Sequence, residues 1–163
     1  MKKINVLIST FFGNGYISKI PGTLTSFSTL IVLYILFEVL QFNNLNYILI
    51  LYSIVFFYSF YAVMDSETEF DNKDPRQIVI DEVLGQAMPL ILVVYLSSKN
   101  LINIPVEIYY LSSFILFRFF DIVKPFPVSY FDKQHKNFFG IIMDDIMAGL
   151  YTMLIIYLVS VKF

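Results

Sequence analysis

Two apolar runs, Leu24 to Phe42 and Leu45 to Met64, decide the architecture of this chain. Each is long enough to cross the hydrocarbon core of a bilayer, because about 20 helical residues span roughly 30 Å. A helix satisfies its own backbone N–H and C=O groups where no water can reach them, so two such runs commit the chain to helices. Three further stretches, Val83 to Ser98, the stretch ending at Phe117, and Ile146 to Val161, are shorter or interrupted, by Pro89 in the first case and by Pro105 and Glu107 in the second. The expectation is one all-α domain over residues 1–163, an integral membrane helical bundle of about four to five spans. A hydrophobic fraction of 58% is too high for an ordinary soluble globule and agrees with that class.

If all five stretches cross, the cations divide unevenly. Lys2, Lys3, Lys19, Lys73, Arg76, Arg118, Lys124, Lys133 and Lys136 fall on one side, and only Lys99 and Lys162 on the other. Nine against two makes the first side cytoplasmic by the positive-inside rule. Eleven of the thirteen acids fall on that same face, so every segment with chemistry in it, residues 13–26, 65–82 and 118–145, converges there as a set of short loops and helix ends.

Composition removes several function classes. A net charge of −2 offers no basic surface for a nucleic acid. With no cysteine there is no disulfide, no zinc–thiolate site and no thiolate nucleophile. A single histidine, His135, excludes phosphatases that need one histidine as nucleophile and another as acid, and its polar loop suggests solvation. Lys2 and Lys3 ahead of Ile4 to Phe12 imitate a signal peptide, but Gly13-Asn14-Gly15 ends the stretch without a small-residue cleavage site, so the segment is expected in the mature chain.

Two acidic pairs stand at the entrances of apolar runs: Asp81-Glu82 with Gly85, and Asp144-Asp145 with Ala148-Gly149. Carboxylates at a helix start cap free N–H groups and favour the positive end of the helix dipole, which is a sufficient reason for one such pair. For two pairs on one face there is a second reading. Gly85 and Ala148 each lie three residues beyond an acid, so the two helices can approach closely and bring four carboxylates together. Such a group tolerates burial when a cation sits between them, and oxygen ligands without His or Cys select magnesium, calcium or manganese over zinc. Asp74 ahead of Pro75 is a further candidate, since the proline fixes the chain before the Asp81-Glu82 helix. Asp65 to Glu69 fails as an EF-hand loop at Phe70 and Arg76 and reads as a solvated face.

Arg118, Asp121 and Lys124 are spaced by three at the end of an apolar run that Pro125 and Pro127 terminate. They are either snorkelling cations with a local ion pair or a phosphate clamp, with Arg118 and Lys124 on oxyanions. Thr23 and Ser26, opening the first span after Pro21-Gly22, are either helix caps or part of an anion site. Gly13-x-Gly15 alone is too short for a nucleotide fingerprint.

Taken in order, four blocks resemble the phosphatidylglycerophosphatase A family over nearly the whole chain. They are Gly13-Asn-Gly15 through Pro21-Gly-Thr23-x-x-Ser26; Asp74 to Asp81-Glu82-x-x-Gly85; Phe117-Arg118-x-x-Asp121-x-x-Lys124-Pro125-x-Pro127 to Asp132; and Gly140-Ile141 to Asp144-Asp145-x-x-Ala148-Gly149. The resemblance implies an Mg2+-dependent enzyme of the bacterial inner membrane that hydrolyses phosphatidylglycerophosphate to phosphatidylglycerol and phosphate in phospholipid biosynthesis, with its active site facing the cytoplasm. It implies Asp81, Glu82, Asp121, Asp144 and Asp145 as catalytic residues. Asp81, Glu82, Asp144 and Asp145 would hold the metal, with Asp74 or Asp121 completing the shell, and Thr23, Ser26, Arg118 and Lys124 would bind substrate. The chain departs from the family pattern at Ser18, at Thr25 where glycine is usual, and at Asn137-Phe138 where a Gly-Gly pair is usual. The alternatives are a small membrane cation transporter, whose ligands belong near mid-span, another metal-dependent lipid headgroup enzyme, and a non-catalytic membrane scaffold.

Overall fold

The structure, a computed structural model, describes residues 2–66, 69–70, 75–134 and 137–162. Those residues form the α-helices α1 (Lys2–Ser9), α2 (Pro21–Tyr34, prolonged by a π-helical turn Ile35–Val39), α3 (Leu45–Ser66), α4 (Ile80–Ser98), α5 (Val106–Val123), α6 (Val128–Gln134) and α7 (Phe138–Lys162). Local sequence accounts for the boundaries. Pro21 opens α2, where its fixed φ suits the first helical position and its missing N–H costs nothing. Asn44 Oδ1 accepts from the N–H groups of Asn46 (3.1 Å) and Tyr47 (3.4 Å) at the start of α3. Pro105 sits immediately before α5, so it starts that helix and does not interrupt it.

The expected bundle is present: α2 with its π turn, α3, α4 and α7 are long and apolar enough to cross a membrane. α5 is as apolar as α2 and α4 but carries three charged residues, Glu107, Arg118 and Asp121, and it runs the length of the bundle. Near its start Tyr110 OH donates to Glu38 Oε1 of the π turn at 2.9 Å. Just ahead of that start, Asn103 Nδ2 donates to the Ser160 carbonyl near the end of α7 at 3.1 Å. At its far end Arg118 pairs with Glu82 in the first turn of α4. Leu49, Ile50, Ile54 and Phe57 of α3 and Leu111 and Ile115 of α5 stand exposed on the outside, as lipid-facing side chains do.

α4 and α7 form the centre, with 56% and 50% of their apolar stretches buried against 22% for α2 and α3. Their crossing is set by glycine. A Cβ on Gly85 would lie 2.6 Å from the Asp145 carbonyl oxygen and 2.6 Å from Phe117 Cε2, and one on Gly149 would lie 2.6 Å from the Gly85 carbonyl oxygen. Ala148 instead faces Phe117 and Val128, so Gly149 is the partner of Gly85. Pro89 completes the arrangement from inside α4. It has no N–H to give the Gly85 carbonyl four residues back, so that oxygen is left to face the Gly149 backbone, where a Cα–H contact can use it. The proline that looks like an interruption is therefore part of the tightest helix contact.

Gly149→Ala should lower stability by about 1–3 kcal/mol through backbone overpacking, read as a lower thermal midpoint in detergent. A midpoint equal to that of the unsubstituted protein would mean the crossing can open without cost.

α1 is a short helix laid on the end of α3. Its buried Asn5 accepts from Tyr58 OH at 2.8 Å and donates to Asp65 Oδ2 at 2.7 Å. The Ser9 carbonyl then accepts from Val79 N–H at 2.9 Å, and a Cβ at Gly15 would overlap the Gln77 carbonyl. Ser9 and Gly15 thus fix Val79 and Gln77, in the approach to the Asp81-Glu82 turn.

Candidate active site

Three helix ends meet at one end of the bundle. Asp81 and Glu82 occupy the first turn of α4, as the sequence suggests. α7 begins eight residues before Ile146, at Phe138, so Asp144 and Asp145 lie in its second turn, where capping is no longer a reason for them. Both are buried, at 7% and 3% exposure. α5 ends between them and delivers Arg118 and Asp121, which pair at 2.8 Å.

Carboxylate oxygens of Glu82, Asp121 and Asp145 come within 4.8 Å of one another. Arg118 Nη1 meets Glu82 as well as Asp121, and the guanidinium is the near positive charge for this triad. Ser26 Oγ lies 2.8 Å from Glu82 Oε2 and 2.9 Å from the Gly22 carbonyl, so its hydroxyl holds the Glu82 carboxylate and α2 in register. Gly22 is needed for the same contact, since a Cβ there would overlap the Glu82 carboxylate. Thr23 lines the cavity beside it.

Lys124 does something different from its spacing. It sits just past α5 with φ 47°, in the left-handed region, and the turn carries it away from Asp121. Its ammonium reaches Asp132 Oδ1 of α6 at 2.5 Å and Asp144 Oδ2 of α7 at 2.6 Å. Burial presses the Lys124 ammonium toward the neutral form, but the charges and hydrogen bonds of Asp144 and Asp132 more than reverse this, and its pKa stands above the ordinary lysine value. It stays cationic throughout the physiological range.

Asp81 Oδ1 is buried and has no hydrogen-bond partner among the described residues, within electrostatic reach of Glu82, Asp144 and Asp121. An orphaned carboxylate oxygen beside a triad of carboxylates is an arrangement that a small divalent cation would satisfy. The donors are all hard oxygens, which suits magnesium, manganese or calcium. The group brought together is thus Glu82, Asp121 and Asp145, with Asp81 beside them and Asp144 turned to Lys124. Asp74 and His135 lie outside the described residues.

These groups line one cavity of about 750 Å³. Its wall also includes Lys19 before α2, Arg76 before α4 and Lys133 of α6, residues that the sequence marks only as part of the cytoplasmic charge excess. The replaced glycines are accommodated away from it. Thr25 is buried and its Oγ1 accepts from Asn14 Nδ2 at 2.9 Å. Asn137 Oδ1 accepts from Gly140 N–H at 3.2 Å, which caps α7 in a way that glycine could not.

Residues 7–160 match the family model described as phosphatidylglycerophosphatase A. A phosphatidylglycerophosphatase A of Haemophilus influenzae is 32% identical over 165 residues, covering 98% of this chain and 94% of the relative. A Bacteroides thetaiotaomicron protein provisionally named a phosphatidylinositol-3-phosphatase is 31% identical over 154 residues, covering 93% and 90%. The phosphatidylglycerophosphatase A of Escherichia coli is 24% identical over 156 residues, covering 94% and 82%. No solved structure matches the chain. Four helices able to cross a membrane, a cavity built from the ends of α4, α5 and α7, and a match over almost every residue place this chain in the phosphatidylglycerophosphatase A family of phosphatases.

Proposed function

We propose that this protein hydrolyses the terminal phosphomonoester of phosphatidylglycerophosphate, releasing phosphate and leaving phosphatidylglycerol, with Mg2+ as cofactor and the cavity open to the cytoplasm. The observation that carries this is the pairing, in one cavity at the end of a membrane bundle, of a carboxylate triad with Arg118 and Lys124. A lipid phosphate lies at that depth, and a cation carrier would instead need its ligands near mid-span. Orientation rests on the nine-to-two cation partition.

Glu82, Asp121 and Asp145 would hold the ion, with the free Oδ1 of Asp81 as a further ligand. Bound there, Mg2+ supplies Lewis-acid polarisation of a phosphoryl oxygen and makes water more acidic. Arg118 uses Nη1 for Glu82 and Asp121 and has Nε buried, which leaves its Nη2 donors for phosphoryl oxygens. Lys124, held cationic by Asp144 and Asp132, adds positive charge at the cavity wall as the transferring group spreads its charge. Ser26 keeps the Glu82 carboxylate aimed through a hydrogen bond, a positioning role and not a catalytic one.

A second reading follows from the Bacteroides relative: the polyol bearing the phosphomonoester is inositol and not glycerol. Phosphate release by the purified protein in lipid vesicles, with phosphatidylglycerophosphate, phosphatidylinositol 3-phosphate and phosphatidic acid as parallel substrates, separates the two. The glycerol lipid should be hydrolysed fastest and phosphodiester lipids not at all. Faster release from the inositol lipid would transfer the assignment, and release from none of the three would overturn it.

A further inference from the structure

The charges that line the cavity are sorted by depth of burial. Arg118 and Lys124 are largely buried, and each is engaged by two carboxylates. Lys19, Arg76 and Lys133 are exposed, come from three separate segments, and have no carboxylate partner among the described residues. Counted over the wall, six acids face two engaged cations in the more buried part and three exposed cations toward its open side, the mouth. The floor therefore favours a cation and whatever anion that cation carries, while the mouth favours a second anion. The mouth is also apolar on one part of its wall: Ile20 and Ile122 line it at 64% and 70% exposure, side chains that the acyl region of a lipid can cover.

We infer that Lys19, Arg76 and Lys133 form a subsite for the phosphodiester of the lipid substrate, so that the enzyme selects lipids carrying two phosphates, a phosphomonoester for the floor and a phosphodiester for the mouth. This rests on the phosphatase assignment above and deepens it. Both lipids named among the relatives have this chemistry, a phosphomonoester on a polyol that a phosphodiester joins to the diacylglycerol. Phosphatidic acid has only the phosphomonoester, so the mouth has nothing to hold while its phosphate occupies the floor. A solvated, flexible ammonium or guanidinium suits this task, because a phosphodiester carries one charge and must leave with the product.

The test compares the unsubstituted protein with the Lys19→Ala, Arg76→Ala, Lys133→Ala triple variant in vesicles of neutral lipid with Mg2+. Initial rates are measured on phosphatidylglycerophosphate and on phosphatidic acid. The expected result is a rise in KM of about tenfold on the two-phosphate lipid, at least about fivefold greater than any change on phosphatidic acid, with kcat on the former moved less than KM. Arg76→Lys should retain most of the selectivity that Arg76→Ala loses. An equal effect on both lipids would reduce the three residues to general attraction of anions and overturn the subsite while leaving the phosphatase assignment standing. Unsubstituted protein that releases no phosphate from phosphatidylglycerophosphate would overturn both. Phosphatidic acid turnover reports that the variant is folded, and because all three side chains are exposed their removal leaves no buried charge unpaired.

Discussion

Asp145→Asn is expected to lower turnover by at least about a hundredfold while raising the thermal midpoint of the metal-free protein. Asp145 is 3% exposed, and its carboxylate comes within 4.8 Å of those of Glu82 and Asp121. At such distances, and with an effective dielectric constant of about 20, each like-charged pair costs on the order of 3 kcal/mol. Converting one acid to an isosteric amide removes that repulsion, so the folded chain gains when no cation is present. The same change removes a ligand and the local charge on which transition-state stabilisation depends, a loss of about two orders of magnitude or more for a well-placed group. Glu82→Gln and Asp121→Asn should behave alike in turnover, although each also loosens Arg118 and so gains less stability. If Glu82, in the first turn of α4, were only a helix cap, its substitution would cost about 0.5–2 kcal/mol of stability and leave turnover near normal. Phosphate release and melting, measured on the same preparations, separate the cases: near-normal turnover in a folded Asp145→Asn variant would remove the triad from the reaction.

Much of this site is legible in the sequence because membrane helices leave little room for charge. Asp81, Glu82, Asp144 and Asp145 stand out against apolar neighbours, and the repeated small residues beyond them announce a close crossing. What the sequence could not supply is which acids meet. That depends on where α5 ends between α4 and α7, a relation between residues far apart in the chain, which brings Asp121 into the triad with Glu82 and Asp145 and sends Lys124 to Asp144 through a left-handed turn. Helix limits and hydropathy limits differ for a related reason. Hydropathy marks where lipid-compatible sequence starts, so Asp144 and Asp145 look like an entrance, while the backbone is already helical from Phe138, where Asn137 caps it. Pro89 reads as a break because sequence alone does not show that the carbonyl it leaves unpaired faces Gly149. Lys19, Arg76 and Lys133 sit on loops or a short helix with no periodicity to place them, and only the folded chain collects them at one mouth.

Withdrawal of divalent metal by a chelator is expected to abolish phosphate release and to lower the melting temperature, and restoring Mg2+ should return both. A ligand present at about a hundred times its dissociation constant stabilises the folded state by about 2.7 kcal/mol, which for a chain of this length is a shift of a few degrees. The variants of the two buried cations separate metal binding from substrate binding. Arg118 Nη1 already meets Glu82 and Asp121, so Arg118→Ala leaves these carboxylates without their nearest positive charge. Removing one partner of a buried pair costs about 3–5 kcal/mol, so the metal-free variant should melt well below the unsubstituted protein. Its rise on adding Mg2+ should be larger, since the ion then supplies the compensation that arginine gave. Lys124→Ala should show a smaller version of this, because Lys124 and its partner Asp132 are about a third exposed and the lysine lies outside the triad. Both variants should turn over substrate slowly with the Mg2+-dependent rise intact, as expected of groups that act on phosphoryl oxygens. Loss of the rise in Arg118→Ala would mean that the arginine organises the ligand set itself, and phosphate release that persists in chelator would exclude Mg2+ from the mechanism.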